Sequence, residues 1–289
     1  MIKQAIIPLA GLGTRLLPLT SVFSKELLPI NGKPGIEYII DECIEAGIKE
    51  IIFIISKKKI MIKNYFNNDN FFKKIIKKKK NRRIYNEYKK ILKYKKMIRF
   101  VYQNNPRGTG DAVLKTKKFI KDNYFLMLLP DDLIIKKNCS KSMISVHKKY
   151  KSSVMASMNV NKKNVSRWGI YNVKKRINKQ NFIIQDVVEK PSIKNAPSNK
   201  AVIGRYILPK IIFNKLSKQK SGKGGEIHIA TDHEAYAMEI LEFFEKEQVL
   251  KNKNGLGTFL FQKEGIPKSK YEKKFINAGE RIFYLEFKK

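Results

Sequence analysis

The chain has 289 residues, 43% of them hydrophobic, enough for the core of one large α/β domain or two smaller ones. Its 61 Lys and Arg against 25 Asp and Glu give a formal net charge of +36, but the lysines are scattered over most segments, which reads as a solvated basic surface rather than a nucleic-acid-binding stripe. Two cysteines, Cys43 and Cys139, lack C-x-x-C spacing or a neighbouring His, so neither a zinc site nor a disulfide framework is indicated.

No stretch approaches the ~18 consecutive apolar residues of a membrane span, and residues 1–4 run straight into a strand, leaving no room for a signal peptide. A cytoplasmic location is therefore expected. The basic field attracts anionic nucleotides and invites non-specific RNA binding at low salt.

The apolar run at residues 5–8 predicts a buried strand over 6–10. It leads from Ala10 into a small-residue loop with Gly11, Gly13, Thr14 and Arg15, followed by Lys25. Glycines behind a buried strand let backbone N–H groups approach a phosphate, and an Arg and a Lys beside such a nest neutralise a triphosphate. On Gly11-Leu12-Gly13 alone, a tight strand-to-helix turn is an equal reading. The third glycine of a dinucleotide loop is missing, and no G-x-x-x-x-G-K-[ST] follows a strand, so neither of those loops is present.

Ile36, Ile39, Ile40, Cys43 and Ile44 recur at helical spacing, with Gly47 at the stop, and residues 50–55 predict the next buried strand. Residues 57–96, rich in Lys and Asn, predict surface helices with a low-complexity run at 77–80. Residues 99–102 predict a short strand, and Thr109 an N-cap for a helix over 112–119. Residues 124–129 predict a central strand that ends in Pro130-Asp131-Asp132. Residues 153–160, 169–173, 183–189 and 200–207 predict a strand-rich second half covering the crevice.

Alternating strands and helices predict a doubly wound sheet, whose ligands sit at the carboxyl ends of the strands. The loop at 11–25, the turn at 103–110 and Asp131 all fall there. Asp131 and Asp132 read either as ligands of Mg²⁺, a hard cation that takes one or two carboxylates plus substrate oxygens, or as a helix N-cap or Asx turn. The Gln103 amide matches the donor and acceptor of a pyrimidine edge, and Gly108 lets the backbone approach a base. By itself, Gly108-Thr109-Gly110 reads as a helix-starting turn.

The full string from Gly11 through Thr14-Arg15 to Ser24-Lys25-Glu26-Leu27-Leu28-Pro29 resembles the signature of the sugar-1-phosphate nucleotidylyltransferases. The likeness is greatest to the bacterial UTP–glucose-1-phosphate uridylyltransferases, whose usual form has Pro-Lys-Glu where this chain has Ser24-Lys25-Glu26. Trp168-Gly169-Ile170-Tyr171, Val187-Val188-Glu189-Lys190-Pro191, Ala196-Pro197-Ser198-Asn199 and Val202-Ile203-Gly204-Arg205-Tyr206 continue the resemblance, which covers residues 2 to about 226.

The resemblance implies a Rossmann-like α/β nucleotidyltransferase fold with a mixed, mainly parallel central sheet. It implies Mg²⁺-dependent transfer of UMP from UTP to glucose 1-phosphate, dTTP remaining open in place of UTP, and a homo-oligomer assembled through the C-terminal region. Arg15 and Lys25 would stabilise the leaving pyrophosphate. Ala10, Gly11, Gly13, Gln103 and Gly108 would hold the nucleotide. Asp131 would hold the metal with Asp132 in support, and Gly169, Glu189, Lys190 and Gly204 would hold the sugar phosphate.

From Gly224 onward the likeness breaks. The Gln-Leu-Thr-Asp and later Asp-Cys-Gly segments of the family are missing. Residues 224–237, together with 268–272, Gly279 and 281–287, resemble the end of the tRNA (guanine-N7) methyltransferases, which would put Asp232, Ser269 and Glu272 at substrate-contacting positions. The glycine-rich methyl-donor loop of that family is absent. The expected organisation is a nucleotidylyltransferase domain over 1–223, C-terminally incomplete, and an atypical α/β, methyltransferase-like tail over 224–289, joined at the shared Gly-Gly-Glu-Ile. The alternatives are a methyltransferase-related RNA-binding protein or an inactive hybrid.

Overall fold

The computed structural model describes residues 2–220 apart from 68–69, 79–80, 106 and 136, and beyond these residues 226–231, 238, 251–252 and 283–288. The chain divides into two compact units, Met1–Ser217 and Lys218–Lys289.

In the first unit the chain runs through β1 (Gln4–Pro8), a two-strand hairpin of β2 (Pro29–Ile30) and β3 (Lys33–Pro34), α1 (Gly35–Glu45) and β4 (Glu50–Ile55). It continues through α2 (Ile60–Asn67), α3 (Asn70–Lys78), α4 (Arg82–Met97), β5 (Ile98–Tyr102), α5 (Thr109–Lys115), β6 (Tyr124–Leu128) and α6 (Cys139–Tyr150). Strands β7 (Val154–Asn159), β8 (Gly169–Arg176), β9 (Phe182–Glu189) and β10 (Lys200–Pro209) follow, then α7 (Ile212–Lys220).

Among the described residues eight strands form the main sheet, in the order β5-β4-β1-β6-β10-β8-β9 with β7 also paired to β10. The pairs β5–β4, β4–β1 and β1–β6 are parallel, whereas β10 runs antiparallel to β6, β7 and β8. The second half does not merely cover the crevice, as the sequence suggested. β10 is built into the central sheet through Arg205–Pro209 against β6, after a register shift between Val202 and Tyr206.

Strand side chains alternate between the two faces, so each face has its own core. Ala5, Ile7, Ile51, Phe53, Ile55, Leu126 and Leu128 meet Ile36, Ile39, Ile40 and Cys43 of α1, Ile62 and Phe66 of α2, Tyr94 of α4 and Met143 of α6. Ile6, Ile52, Ile54, Phe125 and Met127 meet Ala112 and Val113 of α5 and Phe213 of α7. Strands buried on both faces need the continuous β-branched runs that the sequence shows.

Gly47, at φ 85°, ends α1 as expected. The helix predicted over 112–119 begins earlier and ends sooner, at Thr109–Lys115. Gly108, at φ 89°, occupies the N-cap position in place of Thr109, and the Thr116 hydroxyl bonds back to the Val113 carbonyl at 2.6 Å and competes with further helical turns.

In the second unit β13 (Phe283–Lys288) pairs antiparallel with β11 (Glu226–Thr231) and with β12 (Lys251–Asn252). Asp232, Ser269, Glu272, Gly279 and Arg281, named for the methyltransferase likeness, lie outside the described residues.

Candidate active site

After β1 the backbone stays on the sheet for one more bond, Leu9 N–H to the Ile54 carbonyl at 2.7 Å, and then leaves at the strand's carboxyl end. Ala10 is buried at the root of the loop. Gly13 has φ 72° and precedes the single 3₁₀ turn Thr14–Leu16. The Thr20 hydroxyl donates to the Gly13 carbonyl at 2.8 Å, and a Cβ on Gly13 would lie 3.1 Å from Thr20 Cγ2 and 3.4 Å from Lys25 Cδ. A glycine here thus serves both the left-handed backbone and the close approach of Lys25. A Cβ on Gly11 would meet nothing within 4 Å.

Lys25 lies in the 3₁₀ turn Lys25–Leu27, and its ammonium meets Asp131 Oδ1 at 2.5 Å. Gly13, Arg15, Lys25 and Asp131, drawn from two strand ends, line one cavity of about 620 Å³ with Leu28 and Ile30. Glu26, next to Lys25, turns inward and accepts from the Lys59 ammonium at 2.8 Å, the two side chains being 2% and 5% exposed. Glu26 Oε1 and Ser56 Oγ are buried there with no hydrogen-bond partner among the described residues.

Asp131 itself is 61% exposed, but the turn that carries it is tightly held. Asp132 Oδ2 accepts from the Gly204 N–H at 2.6 Å, and the Leu129 N–H bonds the Gly204 carbonyl at 2.8 Å. A Cβ on Gly204 would fall 2.5 Å from Leu129 Cβ and 2.8 Å from Asp132 Oδ2, so β10 packs closely against the Asp131-Asp132 turn at this glycine. Asp132, expected to support Asp131 at the metal, directs its Oδ2 to the backbone of β10.

Gln103 is 3% exposed, and its amide nitrogen donates to Asp111 Oδ2 at 2.8 Å and to the Gly108 carbonyl at 3.3 Å. The amide expected to read a base edge thereby also shapes the Gly108 turn. A Cβ on Gly108 would meet nothing within 4 Å, so its backbone borders open space.

On the antiparallel side Gly169 pairs with Glu189 in register, and a Cβ on Gly169 would touch Glu189 Oε2 at 3.0 Å. Lys190, at φ 43°, donates its N–H to the Trp168 carbonyl at 3.0 Å, and its ammonium is 4.0 Å from Glu189 Oε1. Burial, and then the charges of Asp132 and Glu189, push the Tyr206 phenol above its ordinary pKa. Tyr206 thus stands within the field of both the Asp131-Asp132 turn and the Glu189-Lys190 strand end.

Two buried ion pairs behind the site were not anticipated from sequence. Lys59–Glu26 backs Lys25; the only signal was Lys59 standing at i−3 and i−7 from the buried Ile62 and Phe66, a core-facing position. Arg205–Glu42, at 2.8 Å with Arg205 wholly buried, backs Asp131; its signal was a lone charge inside the apolar 202–208 segment.

A mixed sheet, parallel over β5-β4-β1-β6 and flanked by helices, with a glycine loop, a lysine and an aspartate meeting at its strand ends, defines a nucleotide-binding α/β enzyme. The chain belongs to the nucleotidyl transferase family, whose profile matches residues 4–240. It is 37% identical over 235 residues to a UTP–glucose-1-phosphate uridylyltransferase of Streptococcus pyogenes, covering 79% of this chain and 76% of that protein. Among solved structures it is similar to a UDP-glucose pyrophosphorylase complexed with UDP-glucose (TM-score 0.65, 34% identity, 75% of this chain and 80% of that one). It is also similar to the UTP-bound enzyme of Acinetobacter baumannii (TM-score 0.66, 33% identity, 74% of this chain and 76% of that one).

The family match runs to residue 240, past the point near 226 where the sequence likeness was expected to stop. These matches give the expected tRNA methyltransferase resemblance of the tail, and the RNA-binding alternative, no support. No helix of the described residues is long and apolar enough to cross a membrane.

Proposed function

We propose that the chain transfers UMP from UTP to α-D-glucose 1-phosphate, giving UDP-glucose and pyrophosphate. A phosphate oxygen of glucose 1-phosphate bonds to the α-phosphorus of UTP while the bond from that phosphorus to the bridging oxygen of the β-phosphate breaks. The electron pair leaves with pyrophosphate. Such transfer depends on positioning and charge neutralisation, not on a covalent intermediate.

Each group has a part in this reading. The backbone at Ala10, Gly11 and Gly13 cradles the triphosphate, and Arg15 and Lys25 offset the charge that grows on the leaving pyrophosphate. Gln103 and Gly108 border the base. Glu189 accepts from sugar hydroxyls, Lys190 pairs with the sugar's phosphate, and Gly169 and Gly204 keep the backbone close to the sugar. The reaction is assigned to residues 1–223, which hold all of these groups.

Asp131 would hold a divalent cation, Mg²⁺. Its carboxylate faces the cleft, and among the described residues no three His, Cys, Asp or Glu converge on one point. A single open carboxylate fits a hard cation that draws its other ligands from substrate phosphates and water. Such an ion, when bound, neutralises phosphate oxygens and orients them for in-line attack. The unpaired Cys43 and Cys139 accord with a reducing cytoplasm.

The observation that carries the proposal is the meeting of Lys25 and Asp131 at 2.5 Å beside the Gly13 loop. Opposite charges paired in an open cleft are placed for a ligand that brings anionic oxygens to one and a cation to the other. The test is pyrophosphate release from UTP and glucose 1-phosphate with MgCl₂. Turnover is expected with this pair, and methyl transfer from S-adenosylmethionine to tRNA is not. A folded preparation that releases no pyrophosphate overturns the reading. Running dTTP in parallel settles the nucleotide.

A further inference from the structure

We propose that Arg205, paired with Glu42, is the positioning residue for the Asp131 turn: one buried guanidinium fixes the backbone on both sides of the residue that receives the cation. The inference rests on the reading of Asp131 as that residue.

Arg205 is 0% exposed. Its Nε donates to both carboxylate oxygens of Glu42 at 3.1 Å, and Nη2 donates to Glu42 Oε2 at 2.8 Å. The remaining donors reach backbone: Nη1 to the carbonyls of Leu129 at 3.1 Å and Gly204 at 2.9 Å, and Nη2 to the carbonyl of Asp132 at 2.7 Å. Leu129 and Asp132 bracket Pro130-Asp131, so both ends of the turn hang on one rigid plane. Only a guanidinium offers five donors in a fixed fork; an ammonium in the same place keeps the charge but cannot span both carbonyls and the carboxylate.

Glu42 is oriented in turn. Its Oε1 also accepts from the Ser140 N–H at 3.1 Å and the Ser140 hydroxyl at 2.6 Å, at the start of α6. The guanidinium is therefore braced by α1 and α6 and carried by β10, three elements far from one another in sequence. A buried ion pair serving only the fold gains little over an apolar pair of the same shape. The two carbonyl bonds to the ends of the Asp131 turn give this one a second duty. Groups that orient a metal ligand from behind commonly alter metal affinity by roughly 10- to 100-fold when changed.

The test uses Arg205→Lys, Glu42→Gln and Asp131→Asn in the full chain. Folding is read by thermal melting, and UTP binding is read without metal. Mn²⁺ binding to the protein–UTP complex is read by loss of the free-ion EPR signal, and turnover by pyrophosphate release. For folded Arg205→Lys, metal-free UTP binding is expected within about twofold of wild type, Mn²⁺ affinity lower by about 10-fold, and kcat lower by up to about 100-fold.

Wild-type Mn²⁺ affinity and kcat in Arg205→Lys overturn the inference. So does a loss of Mn²⁺ and metal-free UTP binding in equal proportion, which marks a purely structural role. If Arg205→Lys does not fold, Glu42→Gln decides by the same split: weakened Mn²⁺ with intact UTP binding supports the inference, and unchanged Mn²⁺ affinity overturns it. Asp131→Asn is expected to lose Mn²⁺ binding. Should it bind Mn²⁺ as wild type does, the reading of Asp131 itself fails, whatever Arg205→Lys shows.

Discussion

Lys25 and Asp131 neutralise each other across the cleft, yet the aspartate is 61% exposed and the lysine 23%, so both remain open to an incoming polyphosphate and its cation. On the role proposed for Lys25, its removal takes away a charge that matters most when the leaving group is most negative. Lys25→Ala is therefore expected to lower kcat by about 10²–10³ while the melting temperature stays near wild type, as pyrophosphate release and a thermal scan would show. Glu26, one residue along, is expected to behave in the opposite way. Glu26→Ala strands the Lys59 ammonium in the interior and is expected to cost about 3–5 kcal/mol in denaturant unfolding, whereas a joint Glu26→Leu, Lys59→Met change is expected to recover most of that loss. The sequence singled out Lys25, but nothing in Ser24-Lys25-Glu26 marked Glu26 as a buried side chain. Only the 3₁₀ turn sends one side chain to the cleft and the next to the core.

Helix α1 ties the unit together through three carboxylates. Glu37 accepts from the Tyr65 hydroxyl of α2 at 2.5 Å and pairs with Lys90 of α4 at 3.2 Å. Asp41 accepts from Lys33 of β3 and the Tyr94 hydroxyl of α4, and Glu42 serves Arg205 of β10 and Ser140 of α6. Burial pushes the Asp41 carboxyl up, but the bonds from Lys33 and Tyr94 and the charges of Lys33 and Lys90 overcome it and hold the group below its ordinary value of 3.8. A carboxyl depressed in the folded state adds stability above its unfolded pKa and loses it as pH falls through the folded one. Urea unfolding followed from pH 6 to pH 2.5 is thus expected to show stability falling below about pH 4 in the wild type, and a flatter acid limb in Asp41→Asn.

The apolar face of α1 and the strands β4 and β6 were legible because fully buried parallel strands and amphipathic helices write continuous or periodic apolar patterns. The acidic face was not. Nothing local marks Glu37 and Asp41 as partners of α2 and α4, whose Tyr65, Lys90 and Tyr94 reach them, or Glu42 as the partner of Ser140 and Arg205. Arg205 stood out as a lone charge in an apolar segment, but its partner was illegible: Glu42 lies 163 residues away, and no local pattern encodes a contact at that separation.

For the molecule as a whole, a net charge of +36 sets a long-range field that salt shortens, from a Debye length of about 10 Å at 0.1 M to about 3 Å at 1 M. The KM for UTP is expected to rise several-fold between about 0.05 M and 0.5 M KCl with kcat changing less, since encounter is screened more than contact. Any binding of unrelated RNA is expected to disappear over the same range in a filter-binding titration, because it depends on counterion release alone.

The ion pair at the cleft joins residues 106 positions apart, and the turn bearing its acidic member hangs from an arginine 73 positions further on than the Asp132 carbonyl it holds. During synthesis, then, the glycine loop emerges first and waits. A nascent chain arrested just after β6 owns both halves of the grip but lacks the strand that clamps one of them. Competence to hold a nucleotide with its cation should therefore arrive abruptly, when β10 clears the ribosome and slots in beside β6, and not in proportion to the length of chain already made.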